Sequence, residues 1–171
     1  VETSASRVLG ALNRWLHGRG HNQHGGAQGM VCTFSGLVIK NNRAYVFHVG
    51  DSRVYLLRAE QLECLTRDHH VLVGAGKQAL ARAMGVEINV EIDVCRSGLE
   101  AGDRLILTTD GVHGYLDSRE IIDAARADDP EAAAELLVTL AHENGSPDNL
   151  SAQVIAIDHL PAEDLEAHYE G

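Results

Sequence analysis

The amino-acid sequence predicts an α+β fold in which an antiparallel sheet is faced by helices. Three observations support this prediction: short strands joined by tight connections in the first half, an apolar strand near residue 105, and two capped helices followed by a last strand. Hydrophobic residues make up 44% of the 171 positions, which is ordinary for a globular chain with its own core. We therefore treat residues 1–171 as one domain with an acidic tail over 161–171.

The N-terminal segment from Thr3 to about His17 predicts an amphipathic helix, because its apolar residues recur at helical spacing. The glycine-rich segment Gly18–Gly29 predicts a loop. His17, His21 and His24 suggest a metal site there, but no acid or cysteine completes one, which favours a polar loop.

An antiparallel meander is predicted for the next part of the chain. A strand over Met30–Lys40 is joined to Arg43–Val49 by Asn41-Asn42, a pair that tolerates the positive φ of a tight hairpin turn. Extended structure resumes at Val54–Leu57 and, after a short turn, at Gln61–Thr66.

The hydrophobic pattern then changes to one that predicts a helix over roughly Val71–Met84, ending at Gly85. Asn89–Cys95 alternates and predicts a strand. The stretch Leu105–Gly111 begins with an uncharged, largely apolar run that predicts a strand buried on both faces. Asp110 follows directly where this run stops.

Two helices and a strand are predicted to complete the chain. The helices begin at Asp117 and Asp129, the second with Pro130 at its first position, and they extend to about Ala127 and His142. A loop over residues 145–149 leads to the final strand, Leu150–Ile157.

The formal net charge of −11 comes from 25 acids against 14 bases. No Lys or Arg cluster is present, which disfavours nucleic acid and anionic membrane as partners. Cys32, Cys64 and Cys95 are far apart, as expected for small core residues in a reducing compartment. With no apolar run of about 18 residues, a cytoplasmic location is the expectation.

Aspartates lie beside the turns at several strand ends. Asp110 follows one strand and Asp148 precedes the last, so the two would share a sheet edge if those strands were antiparallel neighbours. Asp51 can reach the same edge if its hairpin belongs to the facing sheet. Three such carboxylates suit Mg²⁺ or Mn²⁺ better than Zn²⁺. The alternative is that each aspartate only forms its turn.

At this point several motifs match a known family in order. The sequence resembles the bacterial-type metal-dependent protein phosphatases called PPM or type 2C. The matching segments are Gly29–Thr33, Val46–Tyr55, Leu65–His69, Arg82–Gly85, Leu105–Gly111 and Gly145–Ser151.

The resemblance implies a four-layer α-β-β-α sandwich with two Mg²⁺ or Mn²⁺ ions at one end. By this resemblance Asp110 and Asp148 would bind one metal ion. Asp51, alone or with Asp110, would hold a weaker third ion, with Gly111, Asn149 and Ser52 as neighbours of the metal site. It also implies hydrolysis of phosphoserine and phosphothreonine in a protein substrate by a metal-bound water, without a catalytic protein nucleophile.

The sequence departs from the family at its N-terminus. The phosphate-binding Arg, a Glu-Asp pair, the Asp-Gly-x-Gly-Gly motif with its bridging aspartate and the N-terminal strands have no counterpart, as though the chain began just downstream. The family's flap is largely missing between His70 and Ala83. Without the bridging carboxylate, Asp110 and Asp148 could hold at most one weakly bound ion. The 171 residues alone could then be either active or inactive, while their parent is expected to be an enzyme.

Two further hypotheses come from other classes. One is a non-catalytic phosphatase-like module that binds or regulates a phosphoprotein or a Ser/Thr kinase, and the other is a structural calcium protein. The second is disfavoured because no loop has the acid spacing of a calcium-binding hand. His48, His69 and His113 lie beside motif residues, where packing or hydrogen bonding explains them better than metal binding does.

Overall fold

The computed structural model describes residues 1–23, 30–73 and 77–161. Its elements are α1 (Glu2–Gln23), β1 (Phe34–Lys40), β2 (Arg43–Val49), β3 (Arg53–Arg58), β4 (Gln61–Cys64), β5 (His70–Val73), β6 (Lys77–Leu80), β7 (Asp93–Gly98), β8 (Arg104–Thr108), α2 (Asp110–His113), α3 (Ser118–Ala125), α4 (Pro130–Glu143) and β9 (Ala152–Ala156). The strands form a first sheet in the order β1-β2-β7, a second in the order β4-β3-β8-β9, and a separate hairpin, β5-β6.

The two larger sheets pack face to face, with helices on their outer faces. Ala44 of the first sheet and Leu56 and Leu105 of the second belong to one buried cluster, which is the core between the sheets. On the outer face of the second sheet, Ile106 packs with Leu137 of α4 in a larger apolar cluster. Because strand residues alternate between faces, neighbours such as Leu105 and Ile106 can each be buried on a different side. This arrangement confirms the four-layer α-β-β-α sandwich.

Helix α1 covers the first sheet and is longer than predicted. Leu16 packs against Val49 of β2 and Met84. The buried side chain of Asn13 also donates to the carbonyl groups of Glu87 and Ile88, at 2.9 and 3.1 Å.

The prediction of a loop from Gly18 was wrong for residues 18–23, which are helical. A glycine in a helix costs only about 1 kcal/mol, so tertiary packing can override it. The remainder of that predicted loop, residues 24–29 with His24, lies outside the described residues.

The chain changes sheets between β2 and β3, so the predicted meander was wrong. The Asn41-Asn42 hairpin joins β1 to β2 as expected, with Asn41 at φ 54°. A second hairpin joins β3 to β4, but β3 belongs to the other sheet. The crossing at residues 50–52 depends on long-range pairing that short-range sequence patterns do not encode.

The predicted helix over Val71–Met84 was also wrong, since residues on either side of 74–76 form the β5-β6 hairpin. Val71, Leu72 and Val73 are largely exposed, so they do not form the buried face expected of a helix. The β-branched residues Val71 and Val73, followed directly by a glycine-containing segment, favour a strand and a turn over a helix here. The following strand begins at Asp93, later than predicted.

The C-terminal helices agree with the sequence. Asp117 caps α3 in a capping box with Glu120, and Asp129 caps α4 ahead of Pro130. The short helix α2 was not predicted. The final strand is confirmed with narrower bounds, Ala152–Ala156.

Cysteine placement corrects one expectation. Cys32 and Cys64 are exposed and only Cys95 is half-buried, so they are not core residues. None of the helices in the described ranges has the length and hydropathy that a membrane span requires.

Candidate metal centre

Strands β8 and β9 are antiparallel neighbours, which brings the aspartates at their ends to one edge of the second sheet. Thr108 is paired with Ala152, so Asp110 and Asp148 lie just beyond the paired residues on the same side. The loop before β9 is fixed to α2 because the hydroxyl of Ser146 donates to the carbonyl of Gly111 at 2.8 Å. The predicted meeting of these two segments is therefore confirmed.

Gly111 allows this close approach. A Cβ atom at this position would lie 2.5 Å from the carbonyl oxygen of Asn149 and 3.2 Å from Cβ of Asp148. Any side chain would push the Asp148-Asn149 backbone away from the start of α2. Glycine is thus required here for packing between the two acidic turns.

The side-chain carboxylates of Asp110 and Asp148 are exposed, and each is oriented by the turn in which it lies. Oδ1 of Asp110 accepts a hydrogen bond from the amide of Gly111 at 2.9 Å, and Oδ1 of Asp148 accepts one from the amide of Asn149 at 2.7 Å. Each aspartate therefore forms its turn. The turns also leave both carboxylates facing solvent at the same sheet edge.

Asp51 joins this edge at the crossover between the two sheets. Arg53 pairs with Thr108, so Asp51 and Asp110 are each two residues beyond that pair. The imidazole Nε2 of His113 donates to the backbone carbonyl of Asp51 at 3.0 Å. This bond connects the Asp51 turn to α2.

The carboxylate of Asp51 already has a protein partner. Its Oδ2 lies 3.1 Å from Nε2 of His70, which donates to it. His70 is the first residue of the β5-β6 hairpin, so this hairpin flanks the candidate site.

The segment Leu65–His70 folds around the crossover. The guanidinium of Arg53 makes a two-pronged ion pair with Asp68, with N–O distances of 3.0 and 2.8 Å. The Arg53 hydrogen bond holds the pKa of Asp68 below its usual value, although partial burial opposes it. A second residue of this segment, His69, also bonds to the crossover, because its ring and its backbone amide both form hydrogen bonds with Gly50.

Two buried histidines, His48 and His113, lie next to the crossover over residues 50–52. Burial lowers the pKa of His48 and of His113, and the positive charge of Arg53 lowers that of His113 further. Nδ1 of His48 lies 2.9 Å from the hydroxyl of Ser35, which itself donates to the carbonyl of Ser52 at 3.1 Å. Each of these histidines therefore makes a hydrogen bond that connects it to a neighbouring segment.

The residues predicted as neighbours of the metal site all lie at this edge. The hydroxyls of Ser52 and Thr33 are 3.0 Å apart, which joins the Gly29–Thr33 motif to the crossover. A shallow open groove of about 220 Å³ beside them is lined by serine and threonine residues and by the ends of β8 and β9.

The described carboxylates at this edge are the kind of ligand that a hard divalent cation prefers, but too few of them converge to complete a site. Carboxylate oxygens are the ligands that Mg²⁺ and Mn²⁺ favour. Within the described ranges, no three His, Cys, Asp or Glu side chains converge closely enough to hold a metal ion. The edge therefore offers Asp110 and Asp148 as a partial site, with Asp51 drawn towards His70.

Several supporting residues were not found from the sequence. Arg82 and Asp93 bind each other next to His69, and His70 contacts Asp51. Only the ordered motifs Leu65–His69 and Arg82–Gly85 marked this region, without indicating which residues would meet.

A two-sheet sandwich flanked by helices, with aspartates from three turns at one sheet edge, defines this chain as a PPM-type phosphatase domain. The sequence model of the family described as Stage II sporulation protein E (SpoIIE) matches residues 1–158. The chain belongs to this family.

Known proteins similar to this chain include protein phosphatases. Protein phosphatase PhpP of Streptococcus pneumoniae is 30% identical over 167 residues, covering 88% of this chain and 67% of PhpP. The structure of PppA of Pseudomonas aeruginosa has a TM-score of 0.80 and 30% identity, covering 88% of this chain and 67% of PppA. The PPM Ser-Thr phosphatase MsPP of Mycobacterium smegmatis has a TM-score of 0.66 and 29% identity, covering 73% and 62%.

These comparisons confirm the predicted family and fold. Relatives of this chain are serine/threonine protein phosphatases, which does not favour the alternative of a non-catalytic module. The chain spans about two thirds of the length of the PhpP and PppA chains.

Proposed function

We propose that this chain is the greater part of a metal-dependent protein serine/threonine phosphatase domain, covering residues 1–171. Its substrates would be phosphoserine and phosphothreonine residues in other proteins, with a Ser/Thr kinase as a further partner and the cytoplasm as its location. The observation that supports this proposal best is the pairing of β8 with β9, which brings Asp110 and Asp148 to one edge.

In this proposal Asp110 and Asp148 hold one Mg²⁺ or Mn²⁺ ion, and Asp51 contributes to a weaker site. The bridging carboxylate of a two-ion centre is not supplied by this sequence. When bound, such cations lower the pKa of water and neutralise charge on a phosphoryl group.

The protein's own groups have simpler tasks. Gly111 and Ser146 keep the two acidic turns together, and His113 holds the backbone of Asp51 against α2. A net charge of −11 repels a phosphorylated substrate, which explains why phosphate binding would depend on cations from solution.

The test measures hydrolysis of para-nitrophenyl phosphate and of a phosphothreonine peptide, with Mn²⁺ and with EDTA. Both this chain and the product of its complete reading frame are assayed. Hydrolysis that requires Mn²⁺ and is lost in Asp148→Asn of the complete product supports the proposal. Absence of any Mn²⁺-dependent hydrolysis by that product would overturn it.

A matched control shows whether a loss of activity is specific to the aspartates at the sheet edge. Asp123 is an exposed aspartate on α3 that makes only a loose contact of 3.8 Å with Arg119. Asp123→Asn removes the same charge at a site on another element. Its activity is expected to equal that of the unmodified protein.

A further inference from the structure

The crossover that carries Asp51 is held by a chain of hydrogen bonds that runs away from the candidate metal site. His69 bonds to Gly50 twice: its backbone amide donates to the Gly50 carbonyl at 2.8 Å, and its ring Nδ1 accepts from the Gly50 amide at 3.0 Å. A nitrogen that accepts a hydrogen bond carries no proton, so the proton of the neutral ring is on Nε2.

The other side of the His69 ring is fixed by a carboxylate. Nε2 donates to Oδ2 of Asp93 at 3.0 Å, and the guanidinium of Arg82 donates to Oδ1 of the same carboxylate at 2.5 Å. Burial alone would raise the pKa of Asp93, but these two donors outweigh it and the pKa lies below its usual value. Asp93 is therefore kept as an anion that fixes the orientation and tautomer of His69.

Gly50 needs this support because of its backbone conformation. Its φ of +119° lies in a region that favours glycine, and a Cβ atom would be 2.5 Å from Cβ of Thr33. Glycine loses much conformational entropy when it is ordered, so the turn needs external bonds to stay in one conformation.

We infer that His69, Asp93 and Arg82 are positioning residues that hold the Gly50-Asp51 turn at the sheet edge that carries Asp110 and Asp148. This inference rests on the proposed function, since it gives a purpose to the position of Asp51. It also explains two motifs, Leu65–His69 and Arg82–Gly85, that the carboxylates alone leave unexplained. None of the three residues contacts Asp110 or Asp148, so their effect on a cation would be exerted through the backbone of Gly50.

The first test needs no metal and no activity. Amide hydrogen exchange of Gly50, measured by NMR in EDTA, reports directly on the bond to His69. His69→Ala is expected to increase the exchange rate of Gly50 by about tenfold or more, while the Ile106 amide in β8 changes little. An unchanged Gly50 rate would overturn the inference.

Two variants separate positioning from general destabilisation. In His69→Asn, the side-chain oxygen can accept from the Gly50 amide as Nδ1 does, so most of the protection should return. Asp93→Asn keeps the His69 ring but weakens its anchoring, so it should give an intermediate rate, and it replaces His69→Ala as the deciding variant if that protein does not fold. Equal exchange changes at Gly50 and Ile106 in these variants would contradict positioning.

The second test measures the Mn²⁺ dissociation constant by water-proton relaxation without substrate. Residues that support metal ligands typically change affinity by about 10- to 100-fold. For the weaker site to which Asp51 contributes, we expect a change of this size in His69→Ala and partial recovery in His69→Asn. Arg96→Gln is the control. Arg96 lies on β7, as Asp93 does, but it pairs with Glu2 on the surface. Affinity in His69→Ala equal to that of the control would overturn the inference.

The two tests distinguish failure of the inference from failure of the proposed function. If the unmodified protein binds no Mn²⁺, the proposed metal site is wrong, and Gly50 exchange alone then decides whether the three residues position the turn. If Mn²⁺ binds but Gly50 exchange does not respond to His69→Ala, the metal site stands and the inference fails.

Discussion

Gly111 and Asp148 are packed so closely that a Cβ atom on Gly111 would lie 3.2 Å from Cβ of Asp148. They are neighbours, although 37 positions separate them in the chain, because β8 and β9 are antiparallel partners. The contact is possible only without a side chain at position 111. It joins the start of α2 to the loop that carries Asp148, so the separation of Asp110 and Asp148 is set by backbone packing.

Gly111→Ala should therefore damage the candidate site before it damages the fold. The added methyl group would lie 2.5 Å from the Asn149 carbonyl oxygen, which forces the backbone apart. We expect a destabilisation of about 1–3 kcal/mol, typical of overpacking, together with weaker Mn²⁺ binding. Urea denaturation and Mn²⁺ titration measure the two effects.

Gly98→Ala is the matched control for this substitution. A Cβ atom at Gly98 meets nothing within 4 Å, and the residue is at the end of β7. Its Mn²⁺ affinity should equal that of the unmodified protein. A similar loss of affinity in both variants would show that the Gly111 contact does not set the site.

Asn13→Ala should weaken the attachment of α1 to the segment over residues 85–88. The fully buried side chain of Asn13 donates to the carbonyls of Glu87 and Ile88 and accepts from the amide of Gly85 at 2.8 Å. Its removal leaves backbone groups unsatisfied, so we expect a loss of about 2–3 kcal/mol in the free energy of unfolding. Arg14→Ala, an exposed neighbour, should change it by less than about 0.5 kcal/mol; equal losses would contradict this role of Asn13.

The sequence predicted the parts of the fold that depend on local signals. The hairpin at Asn41-Asn42 and the caps at Asp117 and Asp129 were correct, because a turn or cap is specified by a few adjacent residues. The helix expected over Val71–Met84 was wrong because the apolar spacing there fits either structure over a short window.

The candidate site was predicted only in part, for a related reason. The shared edge of Asp110 and Asp148 followed from two strands that were correctly identified. The bond between His69 and Asp93 joins residues 24 positions apart, and no pattern along the chain marks which acid meets which histidine. That Gly50 links His69 to the turn of Asp51 becomes visible only in the packed structure of the two sheets.

Acid should destabilise the protein through its paired carboxylates. Burial alone would raise the pKa of Asp103, but hydrogen bonds from Arg58 and from the Glu100 amide outweigh it, so the pKa is below its usual value. The unfolded chain then binds more protons than the folded one in acid. The stabilisation is therefore present above about pH 4–5 and is lost as the pH falls through the folded-state pKa.

Urea denaturation between pH 7 and pH 2.5 in EDTA measures this effect. Asp103→Asn should be less stable at neutral pH and should show a shallower decline in acid, because one of the linked protons is removed. The exposed Asp123→Asn should follow the unmodified protein. Parallel curves for Asp103→Asn and the unmodified protein would contradict the role of the Arg58 pair.

Asp110→Asn should separate metal binding from folding. Asp110 is exposed, and its Oδ1 accepts from the Gly111 amide, a bond that an asparagine oxygen can also accept. In EDTA we therefore expect a Tm equal to or slightly above that of the unmodified protein, since repulsion from Asp148 is reduced. Addition of Mn²⁺ should raise the Tm of the unmodified protein, because a ligand that binds only the folded state stabilises it, and should leave the Tm of Asp110→Asn nearly unchanged. A large fall in Tm of the variant in EDTA would instead mark Asp110 as a structural residue, and an equal Mn²⁺ response in both proteins would remove Asp110 from the metal site.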